Sequence, residues 1–287
     1  MFKVTISGLF MAFIFGLSFL FTKNALDYTS PMNFIAIRFT IASLFLFFLS
    51  IFKIISLQRK NYFKLLIVSL FQPILYFIFE TSGLLYIPSS EAGILIASIP
   101  IFITFLTPIV LKEKVHNMNF LFVFLSFFGV LLIIGFNNFK GNIKGDLLIL
   151  CAVFSATFYN FTSRKFSKEF QPVEITFFMM IIGAIFFNAL AIIREELDYT
   201  VLTNIHVLIP ALYLGILSSS VAFFLVNYML SKISPTQSSI FANLTTVTSV
   251  LAGALFRNEQ ITLKHIIGMT LIILGVWGVN YYKYNNS

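Results

Sequence analysis

The chain has 287 residues, 59% of them hydrophobic and only 10% charged, with a mean hydropathy of +0.95. Soluble domains run about 45–50% apolar and about 25% charged, so this composition excludes an ordinary cytoplasmic enzyme, a nucleic-acid binder and a disordered protein. The net charge of +8 comes from 19 Lys and Arg residues scattered in short gaps between apolar runs, not from a basic stripe.

In chain order, apolar runs and polar punctuation predict ten spans, at roughly 4–25, 31–52, 64–86, 90–111, 117–136, 146–164, 172–193, 208–230, 235–256 and 263–283. Each is near the length of roughly 20 residues that crosses a bilayer as a helix. The first span has only Lys3 as a basic flank and no clear small-residue cleavage site, so it reads as a retained helix and not a signal peptide. With a cytoplasmic N-terminus, inside segments hold 12 basic residues against 6 outside, with Arg38 left within the membrane. The inside set is Lys3, Lys53, Arg59, Lys60, Lys64, Lys112, Lys114, Arg164, Lys165, Lys168, Lys232 and Lys283. Both termini are therefore expected in the cytoplasm of a multi-pass cell-membrane protein. The abundance of Phe, Ile, Asn and Lys suggests a bacterial source.

An internal repeat is visible. Glu113 and Glu259 each follow a long apolar span and are 146 residues apart, and Gly129-Val130 and Gly275-Val276 share that offset. Pro31 and Pro172 open the second and seventh spans. Residues 1–137 and 138–287 thus read as two five-helix repeats. An odd number of spans forces the second copy to enter the membrane upside down. Inverted repeats that rock around a shared site are a recurring transporter plan.

Several chemistries find no residues. Cys151 is the single cysteine, and His116, His206 and His265 are far apart without ligand-like spacing. No glycine-rich phosphate loop and no HExxH is present. Neither catalytic residues, a metal site nor a cofactor is expected.

The order and spacing of several short stretches resemble a known family. In the first half these are Phe15-Gly16-Leu17-Ser18-Phe19, Pro31 followed by Arg38, Ser89-Ser90-Glu91-Ala92-Gly93, Ile99-Pro100, Lys112-Glu113 and Gly129. In the second they are Asp146, Pro172, Ser234-Pro235, Asn243-Leu244, Glu259 and Gly275. The chain resembles paired EamA-type units of the drug/metabolite transporter superfamily over nearly its whole length, with Phe15 where the family usually has Trp. The resemblance implies a secondary transporter, often an exporter of amino acids or related metabolites.

An ionisable side chain inside a span is costly unless paired or hydrated, and so is a functional candidate. Arg38 lies about 10 Å below Pro31 at about 1.5 Å per residue, and Glu80 about 10 Å before the outer end of the third span. Lys23 and Glu91 are expected at the interface with their heads in water. Arg38 and Glu80 read as electrostatic partners in the outer half of a cavity. Arg38 would hold a substrate carboxylate, with Glu80 facing its amine or exchanging a proton. Helical spacing places Gln72, Tyr76, Glu80 and Gly83 on one face. Ser239, Asn243, Thr246, Ser249 and Gly253 share another, as do Ala152, Ser155, Tyr159 and Thr162, and Ser220 with Asn227. In lipid such stripes turn inward, either as glue between helices or as the wall of a wet cavity. For Gln72, Tyr159, Asn227 and Asn243 both readings stand. Phe15 is a candidate cavity wall, and Gly8, Ala12 and Gly16 a close-packing seam. Pro100, mid-span, predicts a bend that either gates the path or merely shapes the helix. The fifth and tenth spans carry few polar residues and are expected to scaffold.

Together these readings predict an all-α integral membrane protein of ten transmembrane helices in two inverted repeats. It would carry small amphipathic metabolites such as amino acids across the plasma membrane, chiefly outward. Two rival readings are a carrier of nucleotide or lipid-linked sugars, which would want more basic groups, and a membrane-embedded transferase, which would want an acid–base pair or metal ligands. The expected partners are a small-molecule substrate and the lipid bilayer, without nucleic acid; a homo-oligomer is left open.

Overall fold

The computed structural model describes residues 2–58, 60–135, 142–257 and 260–282, without the side chains at 19, 20, 23, 89, 90, 256 and 257. The expectations that rest on Arg59, Lys140, Glu259 and Lys283, and on the side chains of Phe19, Lys23, Ser89, Ser90 and Arg257, lie outside the described residues, as does the boundary at 137/138. Ten helical segments follow one another: α1 (Phe2–Leu26), α2 (Pro31–Ile51), α3 (Tyr62–Leu84), α4 (Glu91–Val110), α5 (Asn117–Ile134), α6 (Ile143–Phe166), α7 (Pro172–Ile193), α8 (Ile205–Lys232), α9 (Pro235–Leu255) and α10 (Leu263–Tyr281). Among the described residues, α2 to α10 are long and apolar enough to cross a membrane. α1 is a 25-residue helix with an apolar stretch over Phe2–Ser18. The protein is an all-α, multi-pass membrane bundle of two inverted five-helix repeats.

Local chemistry starts the spans. Ser30 accepts the Asn33 amide (3.2 Å) ahead of Pro31, and Ser234 that of Gln237 (3.3 Å) ahead of Pro235. Gln171 and Glu174 cap each other reciprocally around Pro172. Proline fits the first helical turn because its missing N–H would have had no partner there. Outward faces present large apolar side chains, among them Phe10, Phe13, Phe47, Phe48, Ile185 and Trp277. Most polar residues of the spans turn inward; Thr270 stays on an outer face with its hydroxyl donating to the Ile266 carbonyl of its own helix (2.9 Å).

Several spans are not continuous α-helices. In α3 Gln72 is extended (φ −148°, ψ 120°) and joins Pro73 through a cis peptide bond, within a wide turn over Leu70–Leu75. Gln72 therefore does not continue the face of Tyr76 and Glu80, since helical spacing holds only within an unbroken helix. α4 breaks between Ile96 and Ile99, and Pro100 stands in the first turn of the second piece, where its missing N–H is tolerated. α8 is wound wide over Tyr213–Ala222, just after Pro210. α9 tightens to a 3-10 turn over Ile240–Asn243.

Gly8 meets the Phe241 ring and Gly16 meets Thr248, so the α1 small-residue seam is closed by α9. α5 and α10 pack along a second seam, away from the spans of Arg38 and Glu80. A β-carbon on Gly129 would stand 2.6 Å from the Gly268 carbonyl oxygen, and one on Gly275 2.6 Å from that of Phe122. Gly275→Val is expected to destabilise the fold by about 1–3 kcal/mol through overpacking. The check is the thermal unfolding midpoint in detergent. Gly93→Ala is the control and should leave it unchanged, because its nearest contact, Ile134, is at 3.5 Å.

Candidate functional site

Arg38 comes from α2, which packs on α7 and α8 of the second half, and Glu80 from α3, which packs on α6 and α7. α2 and α8 approach closely at Gly215, where a β-carbon would stand 2.6 Å from Ile41 and 3.1 Å from the Arg38 carbonyl oxygen. That approach lets the Arg38 guanidinium reach α8. Its Nε–H donates to Ser219 Oγ (2.7 Å) and its Nη2–H to Ser218 Oγ (3.0 Å). The same group lies 5.1 Å from the centre of the Phe77 ring and 5.8 Å from that of Phe39. One turn beyond Phe77, Glu80 accepts from the Tyr76 hydroxyl at 3.2 Å. Arg38, Tyr76 and Glu80 are all half-buried. Arg38 and Glu80 form no direct ion pair.

The other candidates fall in separate places. Asn227 is fully enclosed: its carbonyl oxygen accepts from the hydroxyls of Tyr159 (2.9 Å) and Ser163 (2.6 Å), and its amide donates to Thr176 Oγ1 (2.9 Å). This network ties α6, α7 and α8 of the second half together. Phe223 links it to the first half, with its ring centre 6.1 Å from Tyr159 and 5.6 Å from Phe15. Asn243 is buried and donates to Ser126 Oγ of α5 (3.0 Å), while Ser249 donates to the Gly16 carbonyl of α1. The two therefore face different neighbours, because the 3-10 turn shifts the register of α9. Gln72 is buried at the break in α3. Gly83 packs on Ile149 and Gly145 of α6. Glu91, expected in interfacial water, is only 1% exposed. A separate apolar groove of about 600 Å³ between α1, α9 and α10, lined by Leu9, Phe241, Leu244, Val247 and Trp277 among others, contains none of the charged candidates.

Charge is distributed unevenly along the bundle axis. The three described ion pairs are Lys60–Glu174 (3.2 Å), Lys64–Glu169 (2.8 Å) and Arg164–Glu113 (2.9 Å). All lie at the end where α1 begins and α10 ends, and each joins the first half to the second. Glu174 is fully buried and also accepts from the amides of Gln171 (2.7 Å) and Gln58 (3.0 Å) and the Tyr62 hydroxyl (2.9 Å). Glu174→Ala strands these donors and is expected to destabilise the protein by about 2–3 kcal/mol. Glu174→Gln should recover part of that loss, both read by thermal unfolding. At the opposite end the halves meet through hydrogen bonds and not through any described ion pair: Ser30 donates to the Glu196 carboxylate (2.6 Å) and Lys144 to the Tyr86 hydroxyl (2.8 Å). Asn33 and the Asp198 backbone exchange hydrogen bonds of 2.8 and 3.0 Å. The Asp198 carboxyl, held below its ordinary pKa by the hydroxyl and amide of Thr200, fixes that loop.

Sequence reasoning passed over Ser218, Ser219 and Gly215. The usable signal was the run Ser218-Ser219-Ser220 within an apolar span of a chain that carries an arginine inside another span.

Ten helical segments in two inverted halves, nine of them long and apolar enough to cross a membrane among the described residues, match a plan that membrane carriers use. The chain belongs to the EamA-like transporter family, whose family model matches residues 3–135 and again 143–281. It is 37% identical over 286 residues to the uncharacterized transporter YcxC of Bacillus subtilis (strain 168), covering 96% of this chain and 92% of the relative. It is 26% identical to an uncharacterized transporter of Archaeoglobus fulgidus, covering 91% and 93%. The fold also matches a solved crystal structure of another protein with a TM-score of 0.83 at 16% identity, over 96% of this chain and 98% of the other. The protein is thus a transporter of the membrane, not an enzyme.

Proposed function

We propose that this protein is a secondary exporter of small amphipathic metabolites, amino acids in particular, across the plasma membrane. The observation that carries the reading is the pair Arg38 and Glu80. They carry opposite charges, are half-buried at one level of the bundle, and each is held by hydroxyls without neutralising the other. A zwitterionic head group offers each the counter-charge it lacks. Glu80 is the proton-coupling residue in this reading. Residues 1–137 and 138–287 are the rocking units, and Phe15, Tyr76 and the aromatic rings around Arg38 wall the path. Gln72, Tyr159, Asn227 and Asn243 hold helices beside it. The breaks before Pro73 and Pro100 are where α3 and α4 bend as the path opens. The apolar outer faces support the bilayer as the other partner.

The test is purified protein in liposomes loaded with amino acids, with efflux followed under an imposed pH gradient. Absence of amino-acid efflux under every gradient would remove the substrate class. Topology has its own check. Single cysteines at Ser56 and Asn142, in a Cys151→Ser background, are expected to react from opposite sides with an impermeant thiol reagent, Asn142 from outside. Labelling of both from outside would refute cytoplasmic termini.

A further inference from the structure

A guanidinium presents five N–H donors in a fixed fork and keeps its charge. In Arg38 two of the five are taken, both by neutral hydroxyls of Ser218 and Ser219. They occupy the Nε/Nη2 edge, one of the two edges through which arginine grips a carboxylate in bidentate fashion. The hydroxyls solvate that edge and orient the plane of the group but leave its charge uncancelled. The Glu80 carboxylate of α3 is turned to Tyr76 instead. The three remaining hydrogens, of which one on Nη1 and one on Nη2 form the end-on edge, have no protein acceptor among the described residues.

The backbone of α8 is shaped for this arrangement. Successive residues of an α-helix point about 100° apart, so adjacent serines would diverge. α8 is wound wide over Tyr213–Ala222, with more residues to the turn, which brings neighbouring side chains closer in direction. Ser220 Oγ lies 3.1 Å from the Gly215 carbonyl oxygen five residues back, within the wide turn, and Gly215 lets α2 come close enough for the contact.

We infer that Ser218 and Ser219 are positioning residues of a carboxylate-binding subsite on Arg38, in which the ligand's carboxylate is taken end-on by Nη1 and Nη2. The arginine belongs to the first half and the serines to the second. The subsite is therefore complete only while α2 and α8 stay docked, and rocking of the halves weakens it. That the carboxylate belongs to the transported cargo rests on the transporter reading above; the subsite itself does not.

The test uses the full-length protein in nanodiscs and the arginine reagent phenylglyoxal, with modification of Arg38 read from its peptide by mass spectrometry. Benzoate is the probe and benzamide, which lacks the charge, its control. Benzoate is expected to slow modification of Arg38 while benzamide does not. In Ser218→Ala/Ser219→Ala the half-protecting benzoate concentration should rise about tenfold. Ser218→Thr/Ser219→Thr keeps both hydroxyls and should keep the protection, which leaves the test decisive if the alanine variant folds poorly. Equal protection by benzoate and benzamide, or no protection by benzoate, overturns the subsite. Unchanged benzoate protection in the alanine variant, or its loss in a folded threonine variant, overturns the role of the serines. Protection of Arg38 without amino-acid efflux from liposomes would refute the substrate reading and leave the subsite standing.

Discussion

Arg38→Ala is expected to cut transport of carboxylate-bearing substrates by about 10- to 100-fold, because hydrogen bonds to a charged group contribute about 1.5–3 kcal/mol. The loss should appear mainly in KM, and the corresponding carboxamides should be affected far less. Arg38→Lys separates charge from geometry. A lysine keeps the positive charge but cannot reach both Ser218 and Ser219 while presenting a second fork to the ligand. It should recover a minor part of the activity. Uptake into inside-out vesicles, measured with paired acid and amide substrates, distinguishes these outcomes. An equal loss for acid and amide would mean that Arg38 serves only to hold α2 on α8. A double-mutant cycle with Glu80→Ala then asks whether the two charges cooperate. Without a direct ion pair between them, coupling should emerge in substrate affinity and not in folding stability.

Glu80→Gln is expected to abolish uphill accumulation driven by a pH gradient, while substrate exchange persists with a raised KM because the amide no longer offers the substrate amine a counter-charge. The amide keeps the shape of the side chain and an oxygen for the Tyr76 hydroxyl, but it cannot take up and release a proton. A carrier whose proton site is removed still alternates with substrate bound; it loses the link to the gradient. The pH dependence of wild-type transport should flatten in the variant, with exchange and gradient-driven uptake measured side by side in proteoliposomes. Normal gradient-driven transport at every pH would exclude proton coupling through Glu80.

The membrane class and the ten spans were legible because lipid imposes one strong rule on composition. Apolar residues must cover about 30 Å of helix, and polar ones are confined to the gaps and the interior. Pro31, Pro172 and Pro235, each preceded by a capping side chain, marked starts that the structure repeats within a residue. These are local effects, decided within one turn of helix. The same locality explains where periodicity failed. A stripe through Gln72, Tyr76, Glu80 and Gly83 assumes an unbroken helix, yet Gln72 is extended. The stripe through Asn243 and Ser249 crosses a 3-10 turn that sends them to α5 and α1 respectively.

The sequence by itself determined that a positive and a negative side chain lie at similar depth on neighbouring spans, since rise per residue is constant. Only the tertiary structure decided what each touches. Arg38 leans on two serines 180 and 181 residues away, and Glu80 turns to a tyrosine one helical turn back along its own span. It likewise decided that Glu174, which the sequence did not single out, is the buried centre of a joint between halves. Serine carries no signal of partner choice, because its short hydroxyl bonds equally well to its own backbone or to a neighbour. Which one it meets depends on how closely two helices approach. At Ser218 and Ser219 that distance is set by Gly215, by the wide winding of α8, and by the docking of one half of the chain on the other.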